Sequence, residues 1–206
     1  MLTKLDQLEY DCVFAEKLKK QFHKYGSDKP NHAYEKAYQH FLSKINKIDN
    51  ILELGIANYT IMDGNSLNAW SSLYPESKIY GLDHDSEKMI CSGNIKTFLA
   101  DQETITEQKM FDIFGSMVFQ IIIDDASHEM NNTRQTFKAL FNKLSNDGFY
   151  FIEDIRRVSN NKQQTVEDIE NYLRYIPGIG YTIVDLKPGE PDDNDSIIAC
   201  IWRTNG

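Results

Sequence analysis

Apolar residues arrive along this chain in short runs, separated by polar stretches that mostly keep a helical period. That alternation is expected of a sheet covered by helices. Strand-like runs fall at 51–56, 78–83, 97–99, 121–123, 149–152, 181–186 and 196–202. The run Ile121-Ile122-Ile123 has no polar alternation, which suits a strand buried on both faces. Helical spacing appears over 2–24 (Leu5, Leu8, Val13, Phe14, Leu18, Phe22) and 31–45 (Tyr34, Tyr38, Phe41). It returns from 65 onward (Leu67, Trp70, Leu73), weakly over 103–110, through Phe137, Leu140, Phe141 and Leu144, and over 164–175. Asn146-Asp147-Gly148 reads as a turn. The acid-rich loop 188–195 is too short for a crossover helix, so the last two strands should pair antiparallel. The expected fold is a single three-layer α/β sandwich with a seven-stranded, mostly parallel sheet and an antiparallel C-terminal hairpin.

That topology gives the acids their meaning. One strand ends at Asp124 and Asp125, the next at Glu153 and Asp154, and His128 follows the first pair by one turn. In a parallel sheet both pairs emerge at the carboxyl edge, where open α/β sheets hold ligands. Crowded carboxylates repel, and burying them unpaired is costly. A hard divalent cation resolves this, with oxygen ligands favouring magnesium, calcium or manganese. His128 is then available as a general base. The blander alternative has Asp125 capping the following helix and Glu153 paired with Arg156 or Arg157. Gly55 after the first strand, and Asp83 at the end of the second, suit a nucleotide-like ligand site, although GIANYTIMDG lacks the closely spaced glycines of the dinucleotide fingerprint and Asp83 alone reads equally as a solvated strand-end acid that starts a turn. Tyr34 and the Ser27-Asp28-Lys29 loop either pack on the sheet or form part of a lid.

A formal charge of -9 disfavours nucleic acid and anionic membrane as partners. Three scattered cysteines, Cys12, Cys91 and Cys200, argue for a reducing compartment and against a disulfide framework. No apolar run is long enough to span a bilayer. A cytoplasmic protein with a small-molecule ligand is the expectation, and a homo-oligomer is allowed.

Taken together, GSDK (26–29) with His32 and Tyr34, LELGI (52–56), GNSLNAW (64–70), IYGLD (79–83), DQ (101–102), IIDDASH (122–128) and DGFYFIED (147–154) resemble the class I S-adenosylmethionine-dependent methyltransferases. The chain is most similar to the metal-dependent O-methyltransferases of macrolide sugars, the mycinamicin and macrocin type. The resemblance implies a Rossmann-like domain over 49–206, with N-terminal helices at 1–48 on the lid or acceptor side. It implies a methyl-donor site at Ser27, Lys29, Glu53, Gly55, Ile56, Ala57, Ser66, Asp83, Asp101, Gln102 and Asp124. Magnesium would be held by Asp125, Glu153 and Asp154, with His128 as the base. The implied activity is methylation of a hydroxyl on a sugar or other polyhydroxylated molecule, in natural-product or polysaccharide biosynthesis. Departures include Ala57-Asn58, Asn65 and Asp147 where glycines are usual. The macrolide enzymes also carry a larger N-terminal region that helps form their oligomer and acceptor pocket. A non-catalytic donor-binding module, and a cephalosporin hydroxylase-like metal enzyme on the same fold, stand as alternatives.

Overall fold

A computed structural model of the chain describes residues 2–3, 8–56, 64–158, 162–190 and 195–204. Two helices come first, α1 (Cys12–Lys24) and α2 (Glu35–Leu42), separated by a 3-10 turn at Lys29–His32. Then follow β1 (Asn50–Leu54), α3 (Asn65–Leu73), β2 (Lys78–Asp83), β3 (Cys91–Ser92), β4 (Ile95–Leu99) and α4 (Glu107–Phe114). The chain continues through β5 (Phe119–Asp124), α5 (Met130–Leu140), β6 (Leu144–Ile152), α6 (Val166–Leu173), β7 (Ile179–Asp185) and β8 (Ile197–Arg203).

The strands form one sheet in the order β3-β4-β2-β1-β5-β6-β8-β7. From β4 to β6 all neighbours are parallel, and β8 pairs antiparallel with both β6 and β7. Strand β1 has β2 on one side and β5 on the other, so the connections diverge there. That divergence opens a crevice at the carboxyl ends of β1 and β5.

Alternation along each strand divides the core into two layers. Ile51, Ile79, Ile121, Ile123 and Phe151 face α1, α2 and α3 through Leu18, Phe22, Tyr38, Phe41 and Trp70. Leu52, Leu82, Ile122, Tyr150 and Ile152 face α4, α5 and α6 through Met110, Phe114, Phe137, Leu140 and Ile169. The N-terminal helices therefore share a core with the sheet. Among the described residues, no helix is long and apolar enough to cross a membrane.

Several expectations are corrected. The sheet has eight strands rather than seven, because Gly93 (φ 59°) and Asn94 fold Cys91–Ser92 back on β4 as a hairpin. Helix α1 begins only at Cys12, where the Asp11 carboxylate accepts the N–H groups of Val13 and Phe14. Ahead of it, Thr3 bridges to Val184 at the sheet edge. The helix expected over 31–45 is shorter, since Pro30 and left-handed Ala33 (φ 60°) keep the first turns apart from α2. Helix α4 starts four residues later than expected, set by its cap Thr106, whose hydroxyl accepts from the Lys109 N–H. Asn146-Asp147-Gly148 is an irregularity inside a longer β6 rather than a turn before it, and the β5–β6 register shifts there.

Candidate active site

The crevice holds two adjoining cavities. The larger, about 450 Å³, lies over the ends of β1, β2 and β4 and is lined by Gly55, Asp83, His84, Asp85, Lys88, Asp101, Gln102, Ala126 and Ser127, among others. The smaller, about 220 Å³, is lined by Ser27, Asp28, Gly55, Ile56, Asn65, Ser66, Asp125, Ala126, His128 and Asp154. Gly55, Asp125 and Ala126 belong to both. Gly55 has φ 81°, and a Cβ on it would stand 2.0 Å from the Asp125 carbonyl oxygen. Only glycine lets β1 and β5 approach this closely where the cavities join.

The smaller cavity gathers Asp125, His128 and Asp154. Parallel pairing of β5 with β6 sets Asp124 opposite Ile152, so Asp125 and Asp154 leave the sheet at the same edge. His128 Nε2 lies 3.9 Å from Asp125 Oδ1 and 3.4 Å from Asp154 Oδ2. One ligand atom from each of the three falls within 4.8 Å of the others, a grouping able to hold a metal ion. His128 (φ 56°) and Asp154 (φ 52°) both adopt left-handed backbone, a cost usually found where side chains are aimed for a purpose. Gln164 supports both turns: its N–H donates to the His128 carbonyl (2.8 Å) and its side chain to the Glu153 carbonyl (2.6 Å).

Behind this open face lies a buried polar layer. The Lys29 ammonium, 1% exposed, contacts Asp125 Oδ2 at 2.7 Å, Glu153 Oε2 at 2.5 Å and Glu53 Oε1 at 3.0 Å. Burial alone would drive the lysine pKa down, but Asp125, Glu153 and Glu53 outweigh it and hold the value well above the ordinary one. Asp125 is likewise pushed up by burial, but Lys29 and His128 hold it below the usual carboxylate value. Burial raises Glu153 well above its usual value, and burial with neighbouring Asp125 raises Asp154. Tyr38 donates its hydroxyl to Glu153 Oε1, and Trp70 Nε1 donates to Glu53 Oε2 at 2.9 Å.

The structure thus separates residues that the sequence grouped. Asp125, His128 and Asp154 meet at the open face, whereas Glu153 is fully buried and turned toward Lys29 and Tyr38. The blander alternatives fail as well. Asp125 caps no helix, because α5 has Glu129 at its N-cap, and Arg156 and Arg157 pair with Asp195 and Asp185. Lys29 and Glu53 line neither cavity and instead form the layer beneath.

Around the larger cavity, Asp83 accepts the Ile56 N–H at 3.0 Å and the Asp85 N–H at 2.9 Å, which presents its carboxylate at the cleft wall. Asp101 is exposed and caps its own turn through the Glu103 N–H (2.9 Å). Gln102 is committed inward: its amide donates to Asp124 Oδ1 (2.7 Å) and Thr136 (3.0 Å) and accepts from the Ser127 N–H (3.0 Å). Asp124 lies beneath the cleft, where burial raises its pKa to about 7. Ser27, Ile56 and Ser66 line the smaller cavity, and Ala57 lies outside the described residues. Sequence reasoning missed Gln164 altogether, and it read Tyr38 only as a packing residue. The one signal for Tyr38 was its i,i+4 spacing from Tyr34.

No protein-family model matches the chain. It is 31% identical over 128 residues to the 8-demethyl-8-(2-methoxy-alpha-L-rhamnosyl)-tetracenomycin-C 3'-O-methyltransferase of Streptomyces olivaceus, a match covering 60% of this chain and 32% of that protein. It is 33% identical over 121 residues to the mycinamicin VI 2''-O-methyltransferase of Micromonospora griseorubida, covering 57% and 30%. The chain thus spans about a third of the length of these curated relatives. The solved MycE methyltransferase of the mycinamycin biosynthetic pathway, in complex with Mg, SAH and mycinamycin VI, matches with a TM-score of 0.71 at 25% identity. That match covers 92% of this chain and 55% of that one. The fold is that of the class I S-adenosylmethionine-dependent methyltransferases. In this methyltransferase fold the two cavities lie at the point where strand order reverses, where an open α/β sheet binds its ligand.

Proposed function

We propose that this chain is a magnesium-assisted, S-adenosylmethionine-dependent O-methyltransferase acting on a sugar hydroxyl. One observation carries the reading: the cleft walled by Asp83 and the pocket of Asp125, His128 and Asp154 meet at Gly55 and Ala126. A donor in the larger cavity and an acceptor in the smaller would therefore face each other across a glycine that contributes no side chain. The sugar-directed relatives support the acceptor class.

The residues fit both ligands. Asp83 and Asp101 offer carboxylate oxygens to ribose hydroxyls and to a purine amine at the wall of the larger cavity. Gln102 and Asp124 brace that wall from beneath, and Lys29 and Glu53 brace the floor of the other pocket. Asp125 and Asp154 supply the hard oxygen ligands a small divalent cation requires, and Glu153 stands behind them. S-adenosylmethionine when bound supplies the electrophilic methyl group, and magnesium supplies a Lewis acid that lowers the pKa of an acceptor hydroxyl. His128 Nε2, facing both carboxylates, would take the proton of an acceptor hydroxyl. The loop after α1 closes the acceptor side through Ser27 and Asp28. The free thiols of Cys12, Cys91 and Cys200 agree with a cytoplasmic location.

The test is transfer of a labelled methyl group from S-adenosylmethionine to a panel of glycosides, with and without chelator. Chelator should abolish transfer. His128→Ala should lower turnover by about 10²- to 10⁴-fold while S-adenosylhomocysteine affinity stays within twofold. Chelator-insensitive turnover, or full activity in His128→Ala, would overturn the reading.

A further inference from the structure

Both candidate metal ligands divide their oxygens in the same way. Asp125 gives Oδ2 to the Lys29 ammonium (2.7 Å) and keeps Oδ1 toward His128. Asp154 gives Oδ1 to the Tyr34 hydroxyl (2.5 Å) and keeps Oδ2 toward His128. The Tyr34 oxygen also accepts the Asp154 N–H at 2.8 Å, gripping that residue by side chain and backbone where its φ is 52°. Both donors are about 1% exposed. They come from one short stretch, 29–34, far from the acids in sequence. Carboxylates have two equivalent oxygens and free rotation about the final torsion. Nothing in β5 or β6 themselves decides which oxygen faces outward.

We propose that segment 29–34 is a clamp that orients the metal ligands, with Tyr34 and Lys29 as positioning residues for Asp154 and Asp125. This rests on the metal reading of the pocket and adds a role for a stretch outside the sheet. Tyr34 anchors one oxygen of Asp154 so that the other is presented without reorganisation. Lys29 does the same for Asp125 and offsets the negative charge beneath it. Partners of this kind affect metal affinity about 10- to 100-fold in known sites. A second hydroxyl in the layer, that of Tyr38, serves Glu153, which does not face the pocket. It removes the same group from the same layer without touching either ligand, and so provides an internal control.

The experiment compares the unaltered protein with Tyr34→Phe and Tyr38→Phe, using calorimetric titration with Mn²⁺ and separately with S-adenosylhomocysteine. Tyr34→Phe should bind Mn²⁺ at least tenfold more weakly, with S-adenosylhomocysteine affinity within twofold. Tyr38→Phe should keep both affinities within twofold, whatever its thermal stability. A Tyr34→Phe protein that binds Mn²⁺ as tightly as the unaltered one overturns the clamp. So does equal weakening in both variants, which would mark a general loosening of the layer. Loss of both ligands in Tyr34→Phe also overturns it, since the hydroxyl would then serve the fold and not the ligand. An unaltered protein that binds no Mn²⁺ removes the metal reading itself, an outcome separate from these.

Discussion

The two cavities share three residues but are built on different principles. The larger is shorter in range: Asp83 is held by the N–H groups of Asp85, two positions on, and of Ile56, 27 positions back, and Asp101 by that of Glu103. Its wall consists of strand ends and the turns that follow them. The smaller is long-range: Lys29 reaches Asp125 and Glu153 across 96 and 124 positions of chain, and Tyr34 reaches Asp154 across 120. A site made from strand ends survives wherever the sheet forms. One made from a buried charge layer exists only when the N-terminal segment has docked.

The sharpest way to break the contrast is to remove the charge at its centre. Lys29→Met leaves Glu53, Asp125 and Glu153 buried without their cation. Because Glu153 already holds its pKa high through burial, the loss should be partly absorbed by proton uptake, yet it should still cost about 3–5 kcal/mol in urea unfolding. A loss below about 1 kcal/mol would show that the layer contributes little and that the pocket is as local as its neighbour. Gly55→Ala attacks the shared wall instead. Left-handed backbone together with a Cβ placed against the Asp125 carbonyl should cost about 2–3 kcal/mol. It should also weaken binding of both S-adenosylhomocysteine and Mn²⁺. Loss of one ligand alone would show that the cavities work independently. The smallest effect is expected where a side chain serves only a helix start. Thr165→Ala removes the capping box of α6, which pairs Thr165 with Asp168, and should cost about 1 kcal/mol while leaving both affinities unchanged.

The legibility of the chain follows the same division. Strands β1, β2, β5 and the end of β6 could be read directly because they are buried on both faces and stay apolar whatever surrounds them. The helix starts were less visible. They depend on single caps such as Asp11 and Thr106, which a search for apolar periodicity passes over. Strand β3 escaped because two exposed residues carry no pattern. Asp83 and Gly55, which line the larger cavity, were legible as candidates from their place at a strand end. Gln102 was legible as a position but not as a role, since only the folded chain shows its amide fully used by Asp124, Thr136 and Ser127.

What the sequence determined by itself, then, is the order of strands and helices, the acids at two strand ends and the histidine one turn beyond. These follow from local period and from the rule that parallel strands end at a common edge. What tertiary structure decided is which of those acids face the open cavity. Glu153 and Asp154 are adjacent in the chain, and no local rule distinguishes them. One turns inward to Lys29 and Tyr38, and the other turns outward beside His128 with Tyr34 at its back. That choice was made by electrostatics at long sequence range, because a buried ammonium and two buried hydroxyls need partners once α1 and α2 have packed on the sheet, and Glu153 and Asp154 supply them.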